Sequence, residues 1–364
     1  MKKNKICLIT FHTPINYGAV LQAYSLQKYL EIYSDDVKII DYNTEHLRSL
    51  YPLCVKPCSL KESILFLVNL LYLRKKRSKF SKFSYFVANK LSLTKRYESF
   101  ADLYNAPPEA DYYFTGSDQV FNPGRIEEER RAFYLNFGSH ETKRIAYAAS
   151  FGVGSVPNEK RNEISSYISE FYRVSVREND SVKIFEELGL DKPYVVLDPV
   201  FLNDIDFWRE NSEAYPIFKE RYLLYYRLMN SAAGDYAART AAKKKGLKLI
   251  VVTDGFLKWR ADSVLRDVGP SELIYLIDNA EYIVTDSFHG VAFSIIFQKQ
   301  FLLSDFSPTI SRRAMNLMEM LNIEQCACLN GNTGDAEIDY SNVNVLLNKY
   351  ISKSKLFIED TFKR

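Results

Sequence analysis

Short runs of apolar and β-branched residues alternate with helical segments along most of the chain. Helical periodicity is clearest at 16–30, where Ala19, Ala23, Leu26 and Leu30 recur on one face. The predicted strands, in chain order, are 6–11, 37–42, 111–115, 144–150, 173–176, 194–197, 222–226, 247–253, 282–285 and 301–304. Such alternation predicts βαβ units and mostly parallel sheets, and therefore an α/β protein.

The strands form two successive series, and 364 residues are enough for two domains. We expect one Rossmann-like domain at 1–190 and a second at 191–340, facing each other across a cleft. A C-terminal helix at 341–364 is expected to pack back on the first domain. The region 56–104 interrupts the alternation and is predicted to be a helical insertion in the first domain.

Composition excludes several classes of protein. Hydrophobic residues make up 47%, which excludes a disordered chain, and 48 Lys and Arg against 45 Asp and Glu give no reason to expect nucleic acid as a partner. The five cysteines do not complete a four-ligand zinc set with histidines, so no metal site is predicted. The apolar run near the N-terminus is short for an export signal, and we expect a cytoplasmic protein with reduced thiols.

The region 64–82 joins an apolar stretch to a basic one. Residues 64–73 are apolar apart from Asn69, and six Lys or Arg residues follow between 74 and 82 with no acidic residue among them. An apolar helix beside a basic cluster could dock on an anionic membrane surface. The alternative is a helix packed on the core with a solvated basic face.

Polar segments follow four of the predicted strands, at the sheet edge where open α/β folds bind ligands. In the first half, Asp118 and Gln119 suit sugar hydroxyls, and Asp118 could act as a general base. Arg177 could bind a phosphate or a carboxylate, or form a surface pair with the glutamate that follows it. Asn16 could cap a helix and Gly18 could allow close packing.

The fourth segment, 285–290, lies where a strand leads into a helix. Ser287 can cap that helix, and His289 would lie in the positive field of its N-terminus. This predicts an anion site with a proton-transfer group, and the alternative is a capping turn with a structural histidine.

Together these segments resemble the polysaccharide pyruvyl transferases. The family motif N-Y-G-A-x-L-Q-A-x-x-L corresponds to 16–26, and D-S-F-H-G to 286–290. Between them lie matches to G-S-D-Q at 116–119, Y-A-A-S-F-G at 147–152, V-R-E at 176–178 and L-D-P at 197–199. An S-R before an apolar helix follows at 311–312, so the matches run in order from residue 6 to about residue 320.

The resemblance implies a GT-B fold and a reaction. Pyruvate is moved from phosphoenolpyruvate to a sugar as a ketal across two hydroxyls, with release of phosphate. The acceptors are precursors of capsule, exopolysaccharide or cell-wall glycans. No cofactor beyond the donor substrate is implied, and magnesium is possible without being required.

Residue by residue, the resemblance places the donor site in the second domain with Arg177 added from the first. It implies donor binding by Arg177, Ser287 and either Arg312 or Arg313, with Arg313 favoured, and His289 as the general acid. Asp118 is the candidate base. The acceptor-binding residues would be Asn16, Tyr17, Gly18, Ser117 and Gln119. Some branches carry S-R-x-H where this chain has Ser287-Phe288-His289, so one arginine of the family is absent.

Two other functions fit the same residues. A GT-B glycosyltransferase using a nucleotide sugar shares the fold and the anion site at a helix start. A non-catalytic glycan-binding or assembly subunit would not need Arg177 or His289. For the pyruvyltransferase, the basic region 64–82 suits a lipid-linked oligosaccharide acceptor on the cytoplasmic face of the membrane.

Overall fold

A computed structural model describes residues 4–13, 15–49, 72–216, 220–304, 308–328 and 337–363, with side chains in the fifth range from residue 312 onward. The chain divides into two compact units. The first consists of Met1–Ser49, Val87–Asn203 and Val345–Arg364, and the second of Leu50–Phe86 and Asp204–Asn344. The division differs from the predicted domains in three places: the first unit continues to Asn203, the segment 50–86 groups with the second unit, and the second unit ends at Asn344.

The first unit is built on a parallel sheet of seven strands. They are β1 (Lys5–Ile9), β2 (Asp36–Tyr42), β3 (Leu93–Tyr97), β4 (Tyr112–Thr115), β5 (Lys143–Ala149), β6 (Arg173–Val176) and β7 (Tyr194–Val195). Their order is β3-β2-β1-β4-β5-β6-β7, so the direction of winding reverses between β1 and β4. In such sheets the crevice at the carboxyl ends of the two strands at the switch is the usual ligand site.

Helices lie between these strands in chain order. They are α1 (Tyr17–Leu30), α2 (Glu45–Ser49), α3 (Leu73–Lys90), α4 (Phe100–Asn105), α5 (Glu127–Phe133), α6 (Asn158–Ser169) and α7 (Asp180–Glu187). The prediction that 56–104 is a helical insertion was wrong for part of this region, because β3 lies in it and pairs with β2. Residues 56–71 lie outside the described residues.

The basic helix α3 is held by ion pairs within the second unit. Lys82 Nζ lies 2.7 Å from the Glu272 carboxylate, and Lys79 Nζ lies 2.7 Å from Asp254 Oδ2. Lys79 is buried, so this ion pair holds α3 within the unit. This explains why residues up to 86 group with the second unit.

The second unit contains a parallel sheet of five strands. They are β8 (Tyr222–Tyr226), β9 (Lys248–Val252), β10 (Ser263–Leu265), β11 (Tyr282–Thr285) and β12 (Gln300–Leu303), in the order β10-β9-β8-β11-β12. The helices are α8 (Ile205–Glu210), α9 (Ala232–Lys245), α10 (Pro270–Asp278), α11 (Phe288–Ile296) and α12 (Pro308–Met320). The predicted fold class, two Rossmann-like α/β units, is confirmed.

The last helix, α13 (Tyr340–Phe362), contributes its later residues to the first unit. The backbone N–H of Leu197 donates to Ser354 Oγ at 2.9 Å, and Phe357 and Ile358 are buried. The Phe362 ring stacks on Tyr33 with centroids 4.7 Å apart. Among the helices of the described ranges, none is long and apolar enough to cross a membrane.

Candidate functional site

The loop after β1 begins α1 with the motif Asn16-Tyr17-Gly18. Asn16 Oδ1 accepts a hydrogen bond from the backbone N–H of Ala19 at 3.3 Å and thereby caps the helix. Tyr17 and Gly18 are buried in the first turn, whereas Asn16 is partly exposed. Of the three residues predicted to bind the acceptor here, only Asn16 keeps an accessible side chain.

The loop after β4 places Gly116 and Ser117 deep in the first unit, and the peptide bond between them is cis. Gly116 has φ +116°, and a Cβ there would lie 2.0 Å from the carbonyl oxygen of Tyr147, so only glycine fits. The Ser117 N–H donates to Gln22 Oε1 at 3.0 Å, and its hydroxyl lies 3.0 Å from Asp198 Oδ2. Ser117 is fully buried, and its contacts with Gln22 and Asp198 hold the loop in place. The next two residues, Asp118 and Gln119, are partly exposed.

Arg177 lies at the end of β6 and joins three carboxylates. Its Nη1 donates to Asp198 Oδ2 at 2.8 Å, its Nε donates to Glu178 Oε1 at 2.9 Å, and its Nη2 lies 3.7 Å from Asp118 Oδ1. Burial alone would lower the pKa of Arg177, but Glu178, Asp198 and Asp118 outweigh it and raise the pKa. The guanidinium therefore stays charged and is engaged by protein groups.

This network bears on two predictions. The Arg177 side chain is 2% exposed and Glu178 is also buried, so the alternative of a surface pair was wrong. Arg177 gathers Ser117, Asp118 and Asp198 into one cluster. Asp198 was missed as a site residue although its L-D-P motif was noted; the signal available was an acid directly after a predicted strand.

The loop after β11 is organised by backbone amides. The Asp286 carboxylate accepts hydrogen bonds from the N–H groups of Leu228 at 2.7 Å and Met229 at 2.6 Å. Ser287 Oγ accepts from the N–H of Gly290 at 3.3 Å and caps α11. Asp286 therefore fixes the loop after β8, and Ser287 serves the helix start.

His289 lies in the first turn of α11, close to the strand before it. A Cβ on Gly290 would lie 2.3 Å from Thr285 Oγ1, so glycine permits the tight approach of helix to strand. His289 is buried, and its ring packs edge-on against Phe288 with centroids 5.0 Å apart. The positive end of the helix is thus adjacent to the imidazole.

The two candidate donor arginines lie on α12, which packs against α11. Arg312 is exposed, whereas Arg313 is partly buried. The structure thus brings the helix of His289 and the helix of Arg312 and Arg313 into contact within the second unit. Arg177 belongs to the first unit.

Two histidine–carboxylate pairs occur in the first unit that sequence reasoning did not predict. His12 Nε2 lies 3.2 Å from Asp41 Oδ1, and His46 Nδ1 lies 2.6 Å from Glu129 Oε1. His12 and Asp41 are 29 residues apart in the chain, and His46 and Glu129 are 83 residues apart. No local motif could therefore predict either pair. In the part of the chain that is described, no group of three or more His, Cys, Asp or Glu residues could hold a metal ion.

Comparisons with known proteins give one family model and a set of solved structures. The sequence model described as "Polysaccharide pyruvyl transferase" matches residues 16–306. No curated protein matches the sequence. Among solved structures, UDP-GlcNAc 2-epimerase from Neisseria meningitidis is 12% identical, with 99% of this chain and 100% of that chain covered and a TM-score of 0.48. ADP-heptose LPS heptosyltransferase II from E. coli is 13% identical, with coverage of 95% and 99% and a TM-score of 0.37.

Proposed function

Because this chain belongs to the polysaccharide pyruvyl transferase family, we propose that it transfers pyruvate from phosphoenolpyruvate to a sugar of a surface-polysaccharide precursor. The product is a ketal across two sugar hydroxyls, and phosphate is released. The observation that carries this proposal is the family match over residues 16–306, which includes the strand-end loops of both units. No cofactor is needed beyond the donor substrate.

The chemistry requires an acid. Protonation of the methylene carbon of phosphoenolpyruvate leaves a cationic carbon at C2, which a sugar hydroxyl attacks. Loss of phosphate and attack by the second hydroxyl close the ketal. Overall, two hydroxyl protons are lost, one appears in the new methyl group and one on the phosphate. We assign the protonation to His289, since histidine is the side chain that most often serves as a general acid.

The donor carries a phosphate and a carboxylate, and cationic side chains bind both groups. We assign Arg313 to this anion in preference to Arg312, because Arg313 is partly buried on a helix that packs against α11. The capped start of α11 at Ser287 adds a positive backbone field. Arg177, predicted as one of the arginines that bind the donor, is assigned instead to holding Asp118 and Ser117 in place.

The acceptor is assigned to the strand-end loops of the first unit. Asn16, Asp118 and Gln119 are partly exposed there and offer the amide and carboxylate groups that suit sugar hydroxyls. Tyr17, Gly18 and Ser117 act behind them by shaping these loops.

A lipid-linked acceptor would bring the protein to the cytoplasmic face of a membrane. Arg74, Lys75 and Arg77 are exposed on α3 and are the residues we assign to anionic lipid contact; residues 64–71 lie outside the described part. Replacing these three by Gln should weaken sedimentation with vesicles containing phosphatidylglycerol, and equal sedimentation would contradict the contact.

Thermal unfolding with phosphoenolpyruvate, and separately with a panel of nucleotide sugars, tests the proposal. A ligand at about 100 times its Kd adds about 2.7 kcal/mol of stability. We expect stabilisation by phosphoenolpyruvate alone, lost in Arg313→Gln and retained in Arg312→Gln, the matched control one residue away.

Two results would contradict the proposal. Stabilisation by a nucleotide sugar alone indicates the glycosyltransferase. Stabilisation by neither ligand class indicates the non-catalytic glycan-binding subunit.

A further inference from the structure

His46 and Glu129 form a pair with an accessible imidazole and a buried carboxylate. Nδ1 of His46 lies 2.6 Å from Glu129 Oε1. The Glu129 side chain is 0% exposed, whereas the His46 side chain is 43% exposed. Within the described residues, Nε2 of His46 has no hydrogen-bond partner. A buried carboxylate thus fixes one ring nitrogen and leaves the other directed away from the pair.

Arg125 connects this pair to the segments assigned to the acceptor. Its Nη1 donates to Glu129 Oε2 at 3.2 Å, and its Nε donates to the carbonyl oxygen of Gln119 at 3.4 Å. Its guanidinium lies 4.1 Å from the ring centroid of Phe11, two residues after the end of β1. His46 itself follows β2. The pair therefore lies at the carboxyl edge of the first sheet, beside the strands where the winding reverses.

The other histidine–carboxylate pair, His12 with Asp41, leaves no ring nitrogen open to a substrate. His12 is 1% exposed, and both of its ring nitrogens are engaged, Nδ1 with the carbonyl oxygen of Thr10 at 3.1 Å and Nε2 with Asp41. A ring with no open nitrogen cannot exchange protons with a substrate. Of the two pairs, only His46–Glu129 has the form of a base with its orienting partner.

Asp118 is the other candidate for the general base, and its carboxylate lies beside a positive charge. Its Oδ1 lies 3.7 Å from Nη2 of Arg177, a buried and permanently charged guanidinium. Histidine is the side chain that most often serves as a general base. Asp118 fits better as a hydrogen-bond acceptor for the sugar.

We propose that His46 is the general base that activates the acceptor, with Glu129 as its positioning residue; this rests on the proposed pyruvyl transfer. As the sugar oxygen bonds to C2 of the donor, its O–H bond breaks and the proton moves to Nε2 of His46. The imidazolium then releases this proton to water. Glu129 holds the ring in the tautomer whose Nε2 is unprotonated.

The experiment compares His46→Gln, Glu129→Gln and Asp118→Asn with wild type and with the matched control His140→Gln, at an exposed histidine of the same unit. Phosphate release is measured with phosphoenolpyruvate and two acceptor sources: p-nitrophenyl hexosides and the oligosaccharide fraction of the cells that make the protein. Thermal stabilisation by phosphoenolpyruvate is measured for every variant as a separate readout of the donor site.

We expect His46→Gln to lower kcat about 10²–10⁴-fold while KM for phosphoenolpyruvate and its thermal stabilisation stay unchanged. Glu129→Gln should also lower kcat, by up to about 10⁴-fold, because the ring then loses the carboxylate that fixes its tautomer. Added imidazole should restore part of the activity of His46→Ala, which a merely structural role would not allow.

Retention of kcat by His46→Gln at the level of His140→Gln overturns the proposal, as does a large loss in Asp118→Asn alone. Failure of the proposed function looks different, because wild type itself then shows no stabilisation by phosphoenolpyruvate. Donor stabilisation without phosphate release from any acceptor contradicts the sugar acceptor and, with it, the role of His46.

Discussion

The two sheets end in loops that handle charge in different ways. In the first unit, charged side chains pair with one another, and Arg177 contacts Glu178, Asp198 and Asp118. In the second unit, Asp286 is bound by backbone amides and Ser287 caps a helix. The same strand–helix architecture thus supports a rigid charge network in one unit and a frame of peptide dipoles in the other. We therefore expect a charge change at Arg177 to affect the stability of the first unit, and a change at His289 to affect the chemistry of the second.

In the second unit, the largest effect is expected at His289. His289→Gln should lower kcat for phosphate release by about 10²–10⁴-fold, because glutamine cannot deliver a proton to the donor. Its urea unfolding midpoint should stay near that of wild type, since glutamine fills a similar volume. A variant that unfolds at a lower urea concentration than wild type but keeps its kcat would contradict this prediction and show that His289 has a structural role.

In the first unit, Arg177→Ala should reduce the free energy of unfolding by about 3–5 kcal/mol, because buried carboxylates lose their partner. The control is Arg161→Ala, whose ion pair with Glu187 is largely exposed and should cost about 0–1 kcal/mol. Urea unfolding measures both. Equal losses in the two variants would show that the buried network adds nothing beyond a surface pair.

A smaller, pH-dependent effect is expected at Asp41. Burial alone would raise its pKa, but hydrogen bonds and charges from His12 and Arg96 outweigh burial and lower the pKa from its ordinary 3.8. A lowered pKa stabilises the fold above the unfolded value, and this contribution is lost as the pH falls through the folded value.

Urea unfolding of wild type and Asp41→Asn between about pH 5 and about pH 3 tests this linkage. The advantage of wild type should shrink toward the acid end. If the difference in free energy of unfolding between the two proteins stays constant with pH, Asp41 stabilises the fold through hydrogen bonds and its charge adds nothing. In the comparison of the two units, only the Arg177 cluster would then count as a stabilising charge network.

Local patterns predicted much of the fold. The strand predicted at 282–285 matches β11, and the helix predicted at 16–30 is α1 with Asn16 as its cap. Apolar runs and capping residues act over a few neighbours, which is why the sequence reveals them. β3 was missed because its sequence, Leu-Thr-Lys-Arg-Tyr, lies at a sheet edge and carries exposed polar residues.

The site was harder to predict because its contacts are long-range. The sequence singled out Arg177, Asp118 and Ser117, and the position of Asp198 directly after a predicted strand was the one local sign that it could join them. Glu129 lies on α5 and meets His46 from α2, and neither helix carries a motif. Pairings of this kind depend on the strand order, which local patterns do not encode.

The C-terminal helix has a consequence for how the protein is made. The first unit includes Val345–Arg364, and Phe357 and Ile358 from this segment are buried. During synthesis, N-terminal domains usually fold first, while the rest of the chain is still being added. Here the first unit lacks part of its core until the ribosome has translated the whole second unit. The second unit can therefore finish folding first, and a nascent chain stalled before residue 345 would carry a first unit with an uncovered apolar surface.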